Sequence, residues 1–280
     1  MSSINTNASA MNALSTLRGI NKNLEETQSR ISTGLKVQSG KDNASYFQIS
    51  TTMSTESGMN TAINEGLTLA KNSISTAALG AEEIVKLAKD YMDRAAFAQE
   101  EGVDQAAVGT ELAALTEQMK TIIAQSVFNG ENLLAAGGAK VITTGVTRNA
   151  TGGLETTNQT FTFEAFSDIV TELEAQTAAI TASTAGQPEF EAALGLAQAE
   201  VDKAIAGATT LGVSEKAIET QQSFLNNLTD RLDSGVGAMV DADMEEEAAR
   251  LQALQVQQQL ATQSLSIANS APQNILSLFQ

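Results

Sequence analysis

The chain of 280 residues contains no cysteine, no histidine and no tryptophan, and only 2 prolines. Without Cys or His, the common thiol and imidazole nucleophiles, general bases and zinc ligands are missing. Any chemistry would rest on carboxylates, Lys, Ser, Thr and 2 Tyr, so most enzyme mechanisms are excluded and no cofactor is expected. The lack of Cys removes any disulfide framework, which suits a cytosolic protein or one exported unfolded. No run of about 18 apolar residues occurs. Residues 1–30 mix polar and charged side chains, where a signal peptide would set a basic stretch before an apolar one. Neither membrane insertion nor a cleavable signal is expected.

Positive charge is also scarce: 16 Lys+Arg stand against 33 Asp+Glu, a net charge of −17. Phosphate backbones and anionic lipids are bound chiefly through Lys and Arg, so neither nucleic acid nor a membrane surface is expected as a partner. Aromatics are 9 Phe and 2 Tyr, which leaves the 42% apolar content mainly small and aliphatic. That composition favours thin helix-on-helix seams over a thick core.

What is present is a set of heptads. Apolar residues recur with 4,3 spacing at Ile49, Met53, Ile63, Leu67, Ala70, Ile74, Ala77, Ala81, Ile84, Ala88, Tyr91 and Ala95, with Glu56 and Asn60 as polar members. This predicts one helix of roughly 50 residues. A second seam, Val108, Leu112, Leu115, Met119, Ile122 and Ser126, stops at the turn signal Asn129-Gly130. A third opens at Pro188, suited to a first helical turn. It runs from Phe190 to Leu225 and is expected to end near Leu232 despite Gly195, Gly207 and Gly212. Three such seams imply an elongated antiparallel bundle. Residues 130–187 differ: Val141 to Thr144 and the alternating Thr160-Phe161-Thr162-Phe163 predict a small β-hairpin or two. Phe166, Ile169, Val170, Leu173 and Ile180 suggest a short helix.

Both termini are amphipathic and neither can bury its stripe alone. The N-terminal seam reads Ile4, Ala8, Met11, Leu14, Leu17, Leu24, Ile31 and Leu35; the C-terminal one reads Met244, Ala248, Leu251, Leu254, Gln258, Ala261, Leu265 and Ala268, then Ile275, Leu278 and Phe279. Residues 1–43 have an excess of basic side chains, whereas residues 236–280 hold Arg250 against five acids. Antiparallel pairing of the two ends would bring Asp241, Asp243, Glu245, Glu246 and Glu247 beside Arg30, Lys36 and Lys41. The same acidic run could suit a hard cation. The stronger reading makes Asp243 an N-cap, with Glu246 completing a capping box and the acids favouring the positive end of the helix dipole. Gly137-Gly138 and Gly152-Gly153 lack the companions of a phosphate loop and read as turns. Asn149-Ala-Thr151 and Asn158-Gln-Thr160 match the N-glycan acceptor pattern, which is informative only in a eukaryotic secretory context.

Several motifs together resemble bacterial flagellin: Ser3-Ile4-Asn5-Thr6-Asn7, Arg30-Ile31-Ser32-Thr33-Gly34-Leu35-Lys36-Val37 with Lys41-Asp42, Phe128-Asn129-Gly130, and Asp241-Ala242-Asp243 through Ala268-Asn269-Ser270-Ala271-Pro272-Gln273 to Phe279. The C-terminal stretch is most similar to flagellins of α-proteobacteria. The resemblance implies a short member of the family that polymerises with itself into a secreted, extracellular filament serving motility. It would be handled by the flagellar type III export apparatus, an export chaperone, and hook-filament junction and cap proteins. Its ends would order only on assembly. The resemblance also implies an altered motif for the vertebrate innate flagellin receptor. Where detected flagellins carry Arg-x-x-Glu-Leu, Glu83, Lys86 and Leu87 reverse the two charges and keep the Leu, and Glu111 is retained.

The expected architecture is mainly α. A terminal-helix coiled coil joins residues 1–43 and 236–280, the assembly domain. An elongated antiparallel long-helix bundle spans 44–235, with a short β-containing insert at about 130–187. A signalling or scaffold coiled-coil hairpin, such as a chemoreceptor-like cytoplasmic bundle, is the alternative. It gives no reason for a central β segment or for the terminal motifs.

Overall fold

The computed structural model describes residues 7–100, 102–150, 153–183 and 187–276. Seven helices and two strands follow in the order α1 (Ala8–Thr33), α2 (Ala44–Phe97), α3 (Gln105–Gln125), α4 (Leu133–Ala136), β1 (Gly138–Arg148), β2 (Leu154–Phe163), α5 (Phe166–Ala182), α6 (Pro188–Val240) and α7 (Met244–Leu276) among the described residues. The chain divides into two compact units, Glu56–Asp230 and Met1–Thr55 with Arg231–Gln280. These boundaries fall inside α2 and α6, each of which runs on without a break.

In the unit Glu56–Asp230 the heptads form one core. Leu67, Ile74, Ile84, Ala88 and Tyr91 of α2 are fully buried with Leu112 and Met119 of α3, Phe166, Leu173 and Ile180 of α5, and Phe190, Ala197 and Leu211 of α6. Polar contacts fix the antiparallel register of α2 and α6: Asn64 Nδ2 donates to Asn226 Oδ1 at 2.5 Å, Gln222 Nε2 to Thr68 Oγ1 at 2.9 Å, and Lys71 Nζ to Glu219 Oε1 at 2.8 Å. Each contact moves down α2 as it moves up α6 by the same step, so one register holds throughout. Tyr91 carries the largest fully buried side chain; its hydroxyl donates to Leu173 O at 2.8 Å and lies 2.9 Å from Thr177 Oγ1, so burial leaves no polar atom unmet.

Local chemistry sets the ends. Asp104 caps α3 by accepting from the Ala106 and Ala107 N–H groups, and Asn132 does the same for α4. Asn129 (φ 50°) and Gly130 (φ 82°) form the tight turn before α4, closed by the Phe128–Glu131 bridge. The segment between α4 and α5 is a single antiparallel hairpin, with Gly138 opposite Phe163 and Arg148 opposite Leu154 and an irregularity between Thr143 and Gly145. Ile142, Phe161 and Phe163 face the core.

Two details depart from the seams expected of the sequence. α6 does not end near Leu232 but reaches Val240. Gly235 stays helical, and the space a side chain would fill there is occupied by the Met53 methyl group, 2.8 Å from where a Cβ would sit. Ile49 is 47% exposed, while Ser50, Ser57 and Asn60 are buried, so the first two heptads of α2 bury a polar edge. Gly207 is tolerated inside α6 because the Phe166 ring lies against it, 2.9 Å from a would-be Cβ.

Candidate assembly interface

In the unit built from both chain ends, α1 and α7 pack side by side and antiparallel. Asn7 Nδ2 donates to Ala268 O at 2.8 Å, Gln258 Nε2 to Asn21 Oδ1 at 2.8 Å, and Arg30 Nη1 to Glu247 Oε1 at 3.1 Å. Beyond α1 the pairing continues as backbone. Leu35 and Asp241 form an antiparallel bridge, Ala242 N donates to Gly34 O at 2.8 Å and Lys36 N to Val240 O at 2.6 Å. Gly34, at φ 72°, makes this possible by ending α1 in the left-handed region.

The inward face of α1 carries Ala10, Ala13, Leu17, Ile20, Leu24, Thr27 and Ile31, and that of α7 carries Glu247, Leu251, Leu254, Gln258, Ala261, Leu265 and Ala268. Thr27, Glu247 and Leu254 are buried, and the rest are half-buried. Leu35 is half-buried as well. Met11 (65% exposed), Leu14 (37%) and Met244 (46%) lie outside this seam, as does exposed Ala248. Both helices place the inward stripe one step away from those residues. Ile4, Leu278, Phe279 and the side chain of Ile275 fall outside the described residues.

The charge pairing differs from the expected one. Of the three basic residues, Arg30 meets the acidic run, through Glu247, whose side chain is 7% exposed. Lys36 and Lys41 are exposed and form no ion pair among the described residues; Lys36 joins the pairing through its backbone N–H instead. Asp243 caps α7 by accepting from the Glu245 and Glu246 N–H groups at 2.9 and 3.2 Å. Glu246 does not complete a capping box; its carboxylate takes Arg250 Nη2 at 3.0 Å. Asp241 serves through its backbone, and Glu245 is exposed. Glu247 Oε2 is buried and receives no hydrogen bond among the described residues. Glu247, a member of the expected acidic run, also sits in 4,3 phase with Leu251 and Leu254, which is what turns it inward.

The expected seam from Met244 to Ala268 does not include the outer side of α7, where Val256, Leu260 and Ile267 are 55%, 61% and 64% exposed. At the altered receptor motif, Glu83 and Lys86 are exposed and paired with each other at 2.8 Å, Leu87 is half-buried against the core, and Glu111 reaches Arg94 at 3.5 Å.

A bundle with its own core, carrying a terminal helix pair whose apolar faces are only partly covered, defines a class of proteins that complete their burial by assembling. The bacterial flagellin N-terminal helical region matches residues 4–139 and the C-terminal helical region residues 192–279. The chain is 37% identical to Flagellin C of Rhizobium meliloti (strain 1021), 38% to a flagellin of Brucella melitensis and 31% to a flagellin of Caulobacter vibrioides. In each case all of this chain is covered, with 100%, 100% and 99% of the relative. The chain belongs to the bacterial flagellin family. It is therefore a structural subunit of the flagellar filament, not an enzyme, and it polymerises with itself in the service of motility. The chemoreceptor-like alternative has no support. No helix among the described residues is long and apolar enough to cross a membrane.

Proposed function

We propose that assembly proceeds by burial of the terminal helix pair between subunits, and that residues 1–43 and 236–280 act as the assembly domain while 44–235 forms the outer bundle. The observation that carries this reading is the partial burial along the α1–α7 seam, beside a bundle whose seam is closed. In the polymer, Leu17, Leu24, Ile31, Leu251, Leu254 and Leu265 lose their remaining exposure, each Å² of apolar surface contributing roughly 25 cal/mol. Met11, Leu14 and Met244, which the monomer leaves outward, join the contacts between copies, together with Ile4, Leu35, Ile275, Leu278 and Phe279. Arg30 and Glu247 set the register of the pair. Lys36, Lys41, Asp241, Asp243, Glu245 and Glu246 remain at its solvated edge.

Leu265→Asp tests this directly, because the assembled seam would bury a carboxylate at a cost of several kcal/mol. Electron microscopy with short filament seeds is expected to show no elongation, while thermal unfolding of the bundle stays unchanged. Normal filaments from this variant would refute the assignment.

The lack of Cys, the scarcity of Pro and the locally encoded helices suit a chain that is secreted unfolded and folds on arrival, so the type III export apparatus, an export chaperone, and hook-filament junction and cap proteins are its proposed partners. The reversed charges at Glu83 and Lys86, which satisfy each other, and the half-buried Leu87 favour poor activation of the vertebrate innate receptor. A cell reporter assay reaching flagellin-typical potency would contradict that.

A further inference from the structure

Two of the 8 methionines stand apart from the others. Met119 is buried and Met53, Met59, Met92 and Met239 are half-buried, while Met1 lies outside the described residues. Met11 and Met244 are 65% and 46% exposed, and both belong to the unit built from the chain ends. Met11 lies near the start of α1, where Asn7 reaches Ala268 of α7. Met244 opens α7, two residues beyond the contact of Ala242 with Gly34. One exposed thioether therefore stands at each end of the terminal pair, roughly 35 Å apart along the helices. The bundle keeps Met59, Met92 and Met119 half-buried or buried.

What the chain lacks makes these two sulfurs singular. A peroxide oxidises thiols and thioethers, and there is no thiol to intercept it. We infer that Met11 and Met244 are modification sites at which a peroxide stops a free subunit from joining the polymer, an inference that rests on the assembly reading above. A lone pair of the thioether sulfur attacks one oxygen of hydrogen peroxide. The S–O bond forms as the O–O bond breaks, and the departing hydroxide takes the proton of the transferred oxygen and leaves as water. Sulfur is oxidised by two electrons and the peroxide is reduced by two. The sulfoxide that results is polar and its oxygen accepts hydrogen bonds without offering a donor. On a free subunit that oxygen stays in water. Between copies it would be dried, and an acceptor buried without a donor opposes the contact. The covering that a sulfoxide prevents also shields a thioether once it is in place, so the free subunit is sensitive and the filament is not. The competing site is Met53, whose methyl group fills the space beside Gly235 and would swell there on oxidation.

Full-length subunits would be treated with hydrogen peroxide, freed of it and added to untreated filament seeds, with peptide mass mapping of every methionine. Gain of one oxygen at Met11 and Met244 is expected to be at least about fivefold faster than at Met119 in subunits, and at least about tenfold slower in filaments than in subunits. Seeded growth, each preparation being compared with its own untreated half, is expected to fall about tenfold once both sulfurs are oxidised. The loss should shrink to about threefold in Met11→Leu or Met244→Leu, where one sulfur remains, and to less than about twofold in the double variant. Met53→Leu should keep the full loss. Methionine sulfoxide reductases acting on both epimers, with a thiol reductant, should return growth to the oxidised native chain, a readout that needs no variant. Undiminished growth of subunits oxidised at both sulfurs, an equal loss in the double variant, or no recovery after the sulfoxides are reduced would overturn the inference. Failure of untreated subunits to grow on the seeds would instead sink the assembly reading.

Discussion

The two units use the same heptad grammar and reach different ends. Along α2 the positions Leu67, Ile74, Ala81, Ile84, Ala88 and Tyr91 are all 0% exposed. Along α1 and α7, among the described residues, the buried side chains are Thr27, Glu247 and Leu254, and two of those three are polar. The bundle closes on itself because α3, α5, α6 and the hairpin all cover α2. The terminal pair is two helices deep, so each helix keeps an uncovered side. A seam can therefore be complete in its spacing and incomplete in its burial, and that deficit is the proposed driving force for assembly.

The comparison can be strained from both sides. The largest expected effect is in the bundle: Phe166→Ala removes a fully buried ring that fills the space beside Gly207, and should cost about 3–5 kcal/mol, read as a fall in thermal midpoint. Exchange protection of α1 and α7 should change little, since their seam contains no part of that core. Next comes Arg30→Met, which leaves the buried Glu247 carboxylate with only the longer contact to Arg250 Nη1, at 3.9 Å, and should loosen the terminal pair by roughly 1–3 kcal/mol. Amide exchange in α7 of seeded filaments, where the pair is protected, would report this while bundle unfolding stays put. Adding Glu247→Gln should recover part of the loss, and a strictly additive double variant would show that the two side chains do not interact.

The smallest effect is in pH dependence. Desolvation raises the Tyr91 phenol, against the opposing hydrogen bond from Thr177, and hydrogen bonds to Glu219, Glu174 and Glu200 raise Lys71, Lys120 and Lys203. A folded-state value above the unfolded one means stability is complete below about pH 10 and is lost as pH rises through the folded value. On the acid side, N–H groups of Gln38 and Ser39 and the Ser39 hydroxyl hold Asp42 low, and Lys71 and Lys216 hold Glu219 low. Their contributions are present above about pH 4 and are lost as pH falls through the lowered folded values. Chemical denaturation across pH should show both limbs, and Tyr91→Phe should flatten the alkaline one.

Much of the bundle was legible because its seam residues are apolar and spaced for one face: Leu67 to Ala95, Val108 to Met119 and Phe190 to Leu225 each name a single stripe. Pro188 and Asn129-Gly130 marked boundaries through fixed backbone chemistry. The terminal unit was harder for a physical reason. α7 is apolar on two opposite sides, so a stripe starting at Met244 and Ala248 joins residues of different faces, while Val256, Leu260 and Ile267 go unread. In α1, Met11 and Leu14 lie off the line through Leu17, Leu24 and Ile31. Charge signs indicated that the ends attract but not which residues meet, because they do not tell a basic residue on the inward face of α1, Arg30, from the exposed Lys36 and Lys41 beyond its end. That leaves Arg30 with Glu247.

The central claim is that the terminal pair finishes its burial only in the polymer, and amide hydrogen exchange of the same preparation as soluble subunits and as seeded filaments tests it most directly. The account predicts that amides of residues 8–33 and 244–270 exchange rapidly in the subunit and become at least about a hundredfold slower in the filament, with those of residues 67–95 protected alike in both. Equal protection of the terminal helices in both states would contradict it.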